Sequence, residues 1–376
     1  MNKAGIYLHI PFCKTKCIYC DFYSVINKDE RIPDFVECMI NEIKLNKKTL
    51  YDVEYNTIFF GGGTPSVLEE NQLDRIMNEL HSNFNIADNA EISLECNPGE
   101  INFEKLKNFR SIGINRLSIG FQTLNDNLLK FLGRLHNTKQ SLETYDNAIK
   151  AGYENINIDL IYDIPNQKIK DWKKELVQIC TLSPNHISAY SLTVENNTKL
   201  NAMVKNKTIH MPSTKIDRKM FLTTSEILTE ANYEHYEISN FSKKNKNCKH
   251  NLHYWNLDPY IALGPGAHGF DGKKRWWNKK SIDFYINSIK QNKKPIQEQE
   301  ILSNQDKFNE LIMNGLRLVD GFELSKISLM TQNEFLKYLK PHEQKWPYFK
   351  IRNERIKLKY DGLLFADEII SDLFLV

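Results

Sequence analysis

Tyr7-Leu8-His9-Ile10-Pro11-Phe12-Cys13-Lys14-Thr15-Lys16-Cys17-Ile18-Tyr19-Cys20 places three cysteines at C-x3-C-x2-C spacing on one short stretch. Thiolates so spaced can hold three irons of a [4Fe-4S] cluster, which usually takes four cysteine ligands. The next cysteine is Cys38. One iron is therefore left open for a non-protein ligand, the feature that separates catalytic metal sites from closed structural ones. A zinc site would want a fourth Cys or His, commonly with C-x2-C pairs, and His9 fits no such pair. A disulfide is disfavoured because three close cysteines cannot all pair and the chain has intracellular character.

Around this stretch the chain alternates strands and helices. Short apolar segments at Ile6–Ile10, Thr57–Phe60, Glu91–Glu95, Arg116–Gly120, Ile156–Tyr162 and His186–Leu192 read as β-strands. Helix-period segments lie between them at Asp34–Leu45, Asn71–Leu80 and Lys139–Ala151. Such alternation predicts parallel strands joined by crossovers. Six units predict an α/β fold built on a partial (β/α)6 barrel. The cysteines follow the first strand, Gly61-Gly62-Gly63-Thr64-Pro65 the second, and Asn97-Pro98 the third, the strand ends where barrels place chemistry. Beyond about residue 200 the alternation fades. Three regions are expected: 1–232 as the barrel core with the cluster site, 233–298 as a connecting region, and 299–376 as a smaller mixed α/β C-terminal domain.

Bulk composition excludes several classes. The 376 residues are 41% hydrophobic and 26% charged, as in ordinary globular proteins. Fifty Lys and Arg against 47 Asp and Glu give a net charge of +3, which argues for no polyanionic partner. Seven cysteines are too few for a secreted disulfide scaffold. No n-region precedes a long apolar run, and no apolar stretch is long enough to span a bilayer. A cytoplasmic location is expected.

The cysteine spacing resembles that of the radical S-adenosylmethionine (SAM) enzymes. The resemblance implies that SAM chelates the open iron and is cleaved to methionine and a 5'-deoxyadenosyl radical. The glycine-rich loop, with Gly62, Gly63 and Thr64, is similar to the one that meets the methionyl amino group. Glu95, Gln122, Arg134 and Asp159 fall in the order of that family's SAM-contacting residues, and Tyr7 and Tyr19 flank the cluster. At Asp163 the family often has Gly, a departure in the turn after the fifth strand.

Tyr-x-His-Ile-Pro-Phe-Cys, Gly-Gly-Gly-Thr-Pro, Gly-Phe-Gln and the segment Glu310–Leu318 together resemble the oxygen-independent coproporphyrinogen III oxidase-like branch. The oxidases carry a further cysteine where this chain has Phe22, and an N-terminal extension before the cluster. His250-Asn251-Leu252-His253-Tyr254-Trp255 matches H-N-x-x-Y-W, which is similar to the mark of the HemW-type haem chaperones of that branch. By chemistry alone His250 reads as a packed histidine among core aromatics. The resemblance makes it the haem-binding candidate, with Cys248 and His253 behind it. Neutral imidazole is the ligating form, so the unperturbed histidine pKa predicts weaker binding below about pH 6.5. The resemblance thus implies a [4Fe-4S] cluster, SAM and haem as cofactors, and client haemoproteins as partners. Coproporphyrinogen III decarboxylation is the rival reading, so enzyme and carrier both stay open. RNA modification is a third, without a recognisable RNA-binding motif and with no nucleic acid expected as partner. Lys273–Lys280 interleaves tryptophans with cations; it reads as a loop anchored by its tryptophans, or as a peripheral contact with an anionic membrane.

Overall fold

The computed structural model describes residues 2–375. Strands β1 (Asn2–Ile10), β2 (Val53–Gly62), β3 (Ile86–Cys96), β4 (Arg116–Gln122), β5 (Ile156–Tyr162) and β6 (His186–Ser191) lie side by side in chain order, all parallel. These are the six strands expected from sequence, with β1, β2 and β3 extended at their starts. Every residue of β4 is buried, as parallel strands covered on both faces require. The crossover helices start and stop at encoded caps. Glu69 and Gln72 form a capping box on helix Glu70–Asn83, as Asn137 and Gln140 do on Thr138–Lys150.

The parallel arc does not close on itself. A hairpin of β7 (Glu234–Glu237) and β8 (Asn240–Ser242) pairs antiparallel with β6. On the other edge, β9 (Tyr260–Leu263) pairs parallel with β1. It continues antiparallel through β10 (His268–Phe270), β11 (Lys274–Asn278) and β12 (Ile296–Ile301), giving a sheet of 12 strands. The stretch past residue 200 is thus rich in strands, but they run three to six residues, too short for alternation to show. Lys274–Asn278 is one of them. Trp276 is buried there, and half-buried Trp277 stacks on exposed His268 at 5.9 Å.

A second core, from Phe308 to Leu373, lies around helix Asn304–Gly315, helix Gln332–Lys345 and an antiparallel sheet of β13 (Phe322–Glu323), β14 (Phe349–Arg352) and β15 (Arg355–Leu358). Among the described residues no helix is long and apolar enough to cross a membrane.

One buried carboxylate ties the added strands to the barrel. Glu42, on helix Ile32–Asn46, accepts hydrogen bonds from Gly264 N at 2.8 Å, Tyr285 Oη at 2.9 Å and Asn278 Nδ2 at 3.0 Å. Burial raises its carboxyl pKa to about 7. Gly264 has φ +96°, and a Cβ there would sit 2.4 Å from His9 O, so glycine is required where this turn meets the end of β1. Glu42→Ala strands three buried donors. It should cost about 2–4 kcal/mol, read as a lower urea midpoint; an unchanged midpoint would show that the carboxylate does not hold the strands.

Candidate metal and cofactor site

The cysteine loop leaves β1 at Pro11 and has no helix or strand of its own. Val25 N donates to Pro11 O at 2.7 Å and Cys13 N to Val25 O at 3.0 Å, closing its base. Buried Phe12 packs edge-on against Phe35, and Ile18 N reaches Leu132 O at 3.2 Å. These anchors leave Cys13, Cys17 and Cys20 half-buried around a cavity of about 70 Å³, shared with Gly62, Gly63, Thr64, Asn97 and Arg134. Burial pushes the Cys13 and Cys20 thiols up. Among the described residues, no three His, Cys, Asp or Glu side chains converge as a single metal ion needs. Separate thiols around a shared space suit a cluster, in which each cysteine binds its own iron, better than one zinc.

The glycine loop at the end of β2 lies directly against this loop. Gly63 N donates to Ile10 O and Thr64 N to Phe12 O, both at 2.8 Å. A Cβ on Gly63 would come within 2.7 Å of Phe12 O, so this approach of two backbones excludes any side chain. A polar chain then joins two of the cysteines. Thr64 Oγ1 donates to Cys13 Sγ at 3.5 Å, Asn97 Nδ2 to Thr64 Oγ1 at 3.0 Å, and Arg134 Nη2 to Asn97 Oδ1 at 2.5 Å. Arg134 Nη1 completes it on Cys17 Sγ at 3.6 Å. Asn97 stood in the quoted motif without a role. Its position straight after β3 and before Pro98 was the available signal.

Beyond the loops opens a cavity of about 880 Å³, lined by the strand ends and by the Arg317 and Leu363–Glu368 segments. All the expected SAM-contacting residues line it: Tyr7, Tyr19, Gly62, Gly63, Thr64, Glu95, Gln122, Arg134 and Asp159. Glu95 accepts from Gly62 N at 3.2 Å. Burial, then the nearby Asp159, raises its pKa to about 8. Asp159 is raised by burial and held by Asn157 at 2.7 Å and Ser118 at 3.0 Å. Gln122 has φ +65°. Its turn is fixed by Glu175, which accepts from Thr123 Oγ1 at 3.0 Å and Leu124 N at 2.7 Å. Asp163 has φ +62°, a left-handed position that glycine adopts freely and Asp tolerates better than most residues. The departure from glycine therefore keeps the turn.

His250 lies on helix Lys249–Asn256, buried at the wall of the same cavity. Its Nδ1 meets Thr57 Oγ1 at 2.8 Å and its Nε2 meets Tyr254 Oη at 2.9 Å. The ring stacks on Phe59 at 5.2 Å. Burial holds its pKa well below the ordinary value. His253 is buried outside the cavity lining, between Asp258 at 2.9 Å and Asn56 at 2.8 Å. Cys248 is buried, its thiol pushed up to about 12.

Residues 7–177 match the radical SAM superfamily. The heme chaperone HemW of Buchnera aphidicola subsp. Schizaphis graminum is 36% identical over 325 residues, covering 85% of this chain and 84% of that protein. The chain belongs to the HemW family of radical SAM proteins. A zebrafish relative, radical S-adenosyl methionine domain-containing protein 1, mitochondrial, is 30% identical and covers 99% of this chain and 87% of its own. The coproporphyrinogen III oxidase HemN of Escherichia coli shares the fold, with a TM-score of 0.85 at 22% identity over 99% of this chain and 90% of that one. This chain thus has the HemN fold, and the residues that set its site are on the cysteine loop, the glycine loop and the strand ends.

Glu95 gives a test of the cavity's electrostatics. Its folded pKa of about 8 stands above the ordinary 4.5. Between those values the folded chain holds one more proton than the unfolded chain. The stability this contributes is full below about pH 4.5 and is lost as pH rises through 8. Glu95→Gln removes the dependence. The variant should gain on the wild type by up to about 1.4 kcal/mol per pH unit across that window, measured by urea unfolding near its two ends. An equal difference at both ends would contradict the assignment.

Proposed function

We propose that this chain is a haem chaperone that binds haem and passes it to haemoproteins, and that it carries a SAM-coordinated [4Fe-4S] cluster. One observation carries the reading. A single cavity of about 880 Å³ is lined by Cys20 and the glycine loop and also by His250 and Tyr254. Membership of the HemW family supports it, since the relatives named heme chaperone match along most of this chain. The oxidase resemblance is one of fold.

Cys13, Cys17 and Cys20 would hold the cluster. The donor set fits: three thiols, a small shared cavity, and cationic Arg134 and hydroxylic Thr64 donating to two of the sulfurs. When bound, the cluster and SAM supply one-electron chemistry. The protein's part is to orient and shield. Gly62 and Glu95 would receive SAM's ammonium end, Gln122, Arg134 and Asp159 would line its path, and Tyr7 and Tyr19 would flank it. Iron and sulfide measured after anaerobic reconstitution should fall to background in a Cys13→Ala/Cys17→Ala/Cys20→Ala variant. Full occupancy in that variant would remove the cluster from these residues.

His250 would supply the imidazole for haem. Thr57 at Nδ1 orients the ring, and Nε2 becomes available to iron when it exchanges the Tyr254 hydroxyl. Burial corrects the pH dependence expected from sequence. An imidazole held neutral well below pH 6.5 keeps its ligating form in mildly acidic solution. The Soret band of the haem-loaded protein should therefore persist at about pH 5.5, and His250→Ala should shift or weaken it while leaving iron and sulfide content intact. Identical haem spectra and affinity for the two proteins would place the ligand elsewhere. A peripheral membrane contact would rest on exposed lysines such as Lys273 and Lys279 and on half-buried Trp277, because Trp276 is buried in β11.

A further inference from the structure

Two arginines stand in the wall of the large cavity with no part in the cluster or SAM site. Arg218 lies on helix Thr214–Glu230, and Arg317 follows helix Asn304–Gly315. Both are held by the chain's own last helix, Ala366–Asp372. Arg218 Nη2 lies 3.5 Å from Glu368 Oε1, and Arg317 Nη2 donates to Asp367 Oδ1. Phe365 stacks beneath the Arg218 guanidinium at 4.2 Å. Arg317 is also fixed from the other side, where Ile238 N, beside β7, donates to Arg317 O at 3.0 Å.

The two sides of these pairs differ. The arginine side chains are 35% and 28% exposed, and their partners Glu368 and Asp367 are 53% and 73% exposed. The cations thus belong to the wall and the carboxylates to its outer edge. Exposed ion pairs of this kind contribute little to stability. Exchanging one carboxylate for another keeps every guanidinium paired, so an incoming acid displaces the internal one at small cost. A planar guanidinium fork matches a carboxylate.

We propose that Arg218 and Arg317 anchor the two carboxylates of a flat tetrapyrrole, and that Asp367 and Glu368 occupy them as an internal latch until it arrives. This rests on the haem reading above and adds the end of the cavity at which the ligand's acidic edge lies. The latch couples loading to the loss of two ion pairs on the last helix, whose Ile369 and Ile370 stay buried in the second core, while Arg317 stays fixed through its backbone.

The test titrates the full chain with iron-free protoporphyrin IX and with its dimethyl ester, following tryptophan fluorescence. Neither probe needs an axial ligand. Asp367→Asn/Glu368→Gln should bind the diacid about threefold or more tighter than wild type with no gain for the ester, a difference that apolar surface exposed by misfolding would not give. Arg218→Gln/Arg317→Gln should bind it at least about tenfold weaker, with thermal unfolding to establish that the variant is folded. The ester should bind all three proteins alike. If wild type binds diacid and both variants match it, or if ester and diacid respond equally, the anchor is overturned and the haem reading stands. If wild type binds neither haem nor protoporphyrin, the haem reading fails and takes the anchor with it.

Discussion

A cysteine loop with no helix or strand of its own must take its shape from its neighbours. Here the constraint is the polar chain Cys13–Thr64–Asn97–Arg134–Cys17. Each link comes from a connection after a different strand: Thr64 just past β2, Asn97 just past β3, and Arg134 after the helix that follows β4. Removing one link leaves polar groups unpaired in a half-buried place, where such groups are costly. The loop geometry is therefore a property of the barrel. The glycines serve the same end, since only residues without Cβ let the β2 turn lie against Phe12 and Ile10.

The second organising feature is buried charge. Glu42, Glu95, Asp159 and Glu175 all lie inside the barrel or its flanks, and burial raises the pKa of each. Glu42 and Glu175 have hydrogen-bond donors on both carboxylate oxygens and act as struts, one for the added strands and one for the Gln122 turn. Glu95 receives a single backbone N–H, and its remaining capacity faces the cavity. That difference separates a structural carboxylate from one free to receive a ligand.

Much of this was legible in the chain. The six parallel strands could be read because each is an apolar run long enough to show its period, with helix signals in three of the gaps between them. Cys13, Cys17, Cys20 and the glycine loop could be read because their spacing is local. Asn97 and Glu175 could not be assigned from sequence. Their roles depend on which strand ends meet: Asn97 showed only its place after the third strand, and nothing in the neighbourhood of Glu175 announces its contact with the Gln122 turn. The added strands β7 to β12 escaped because joining the sheet at its β1 and β6 edges makes them strands, and three to six residues carry too little pattern to show it.

His250 marks the division most sharply. Its motif was visible as H-N-x-x-Y-W, and the imidazole's pKa was expected to be ordinary. Folding buried the ring between Thr57 and Tyr254 and held it neutral, because a charged imidazole out of water has no compensating carboxylate among its hydrogen-bond partners. Sequence alone determined the strand order of the barrel, the cysteine spacing and the ligand types, all set by contacts between near neighbours or by period. Tertiary structure decided which side chains share the cavity, how their protons are held, and where the last helix closes on Arg218 and Arg317, because those outcomes depend on burial and on partners far apart in the chain.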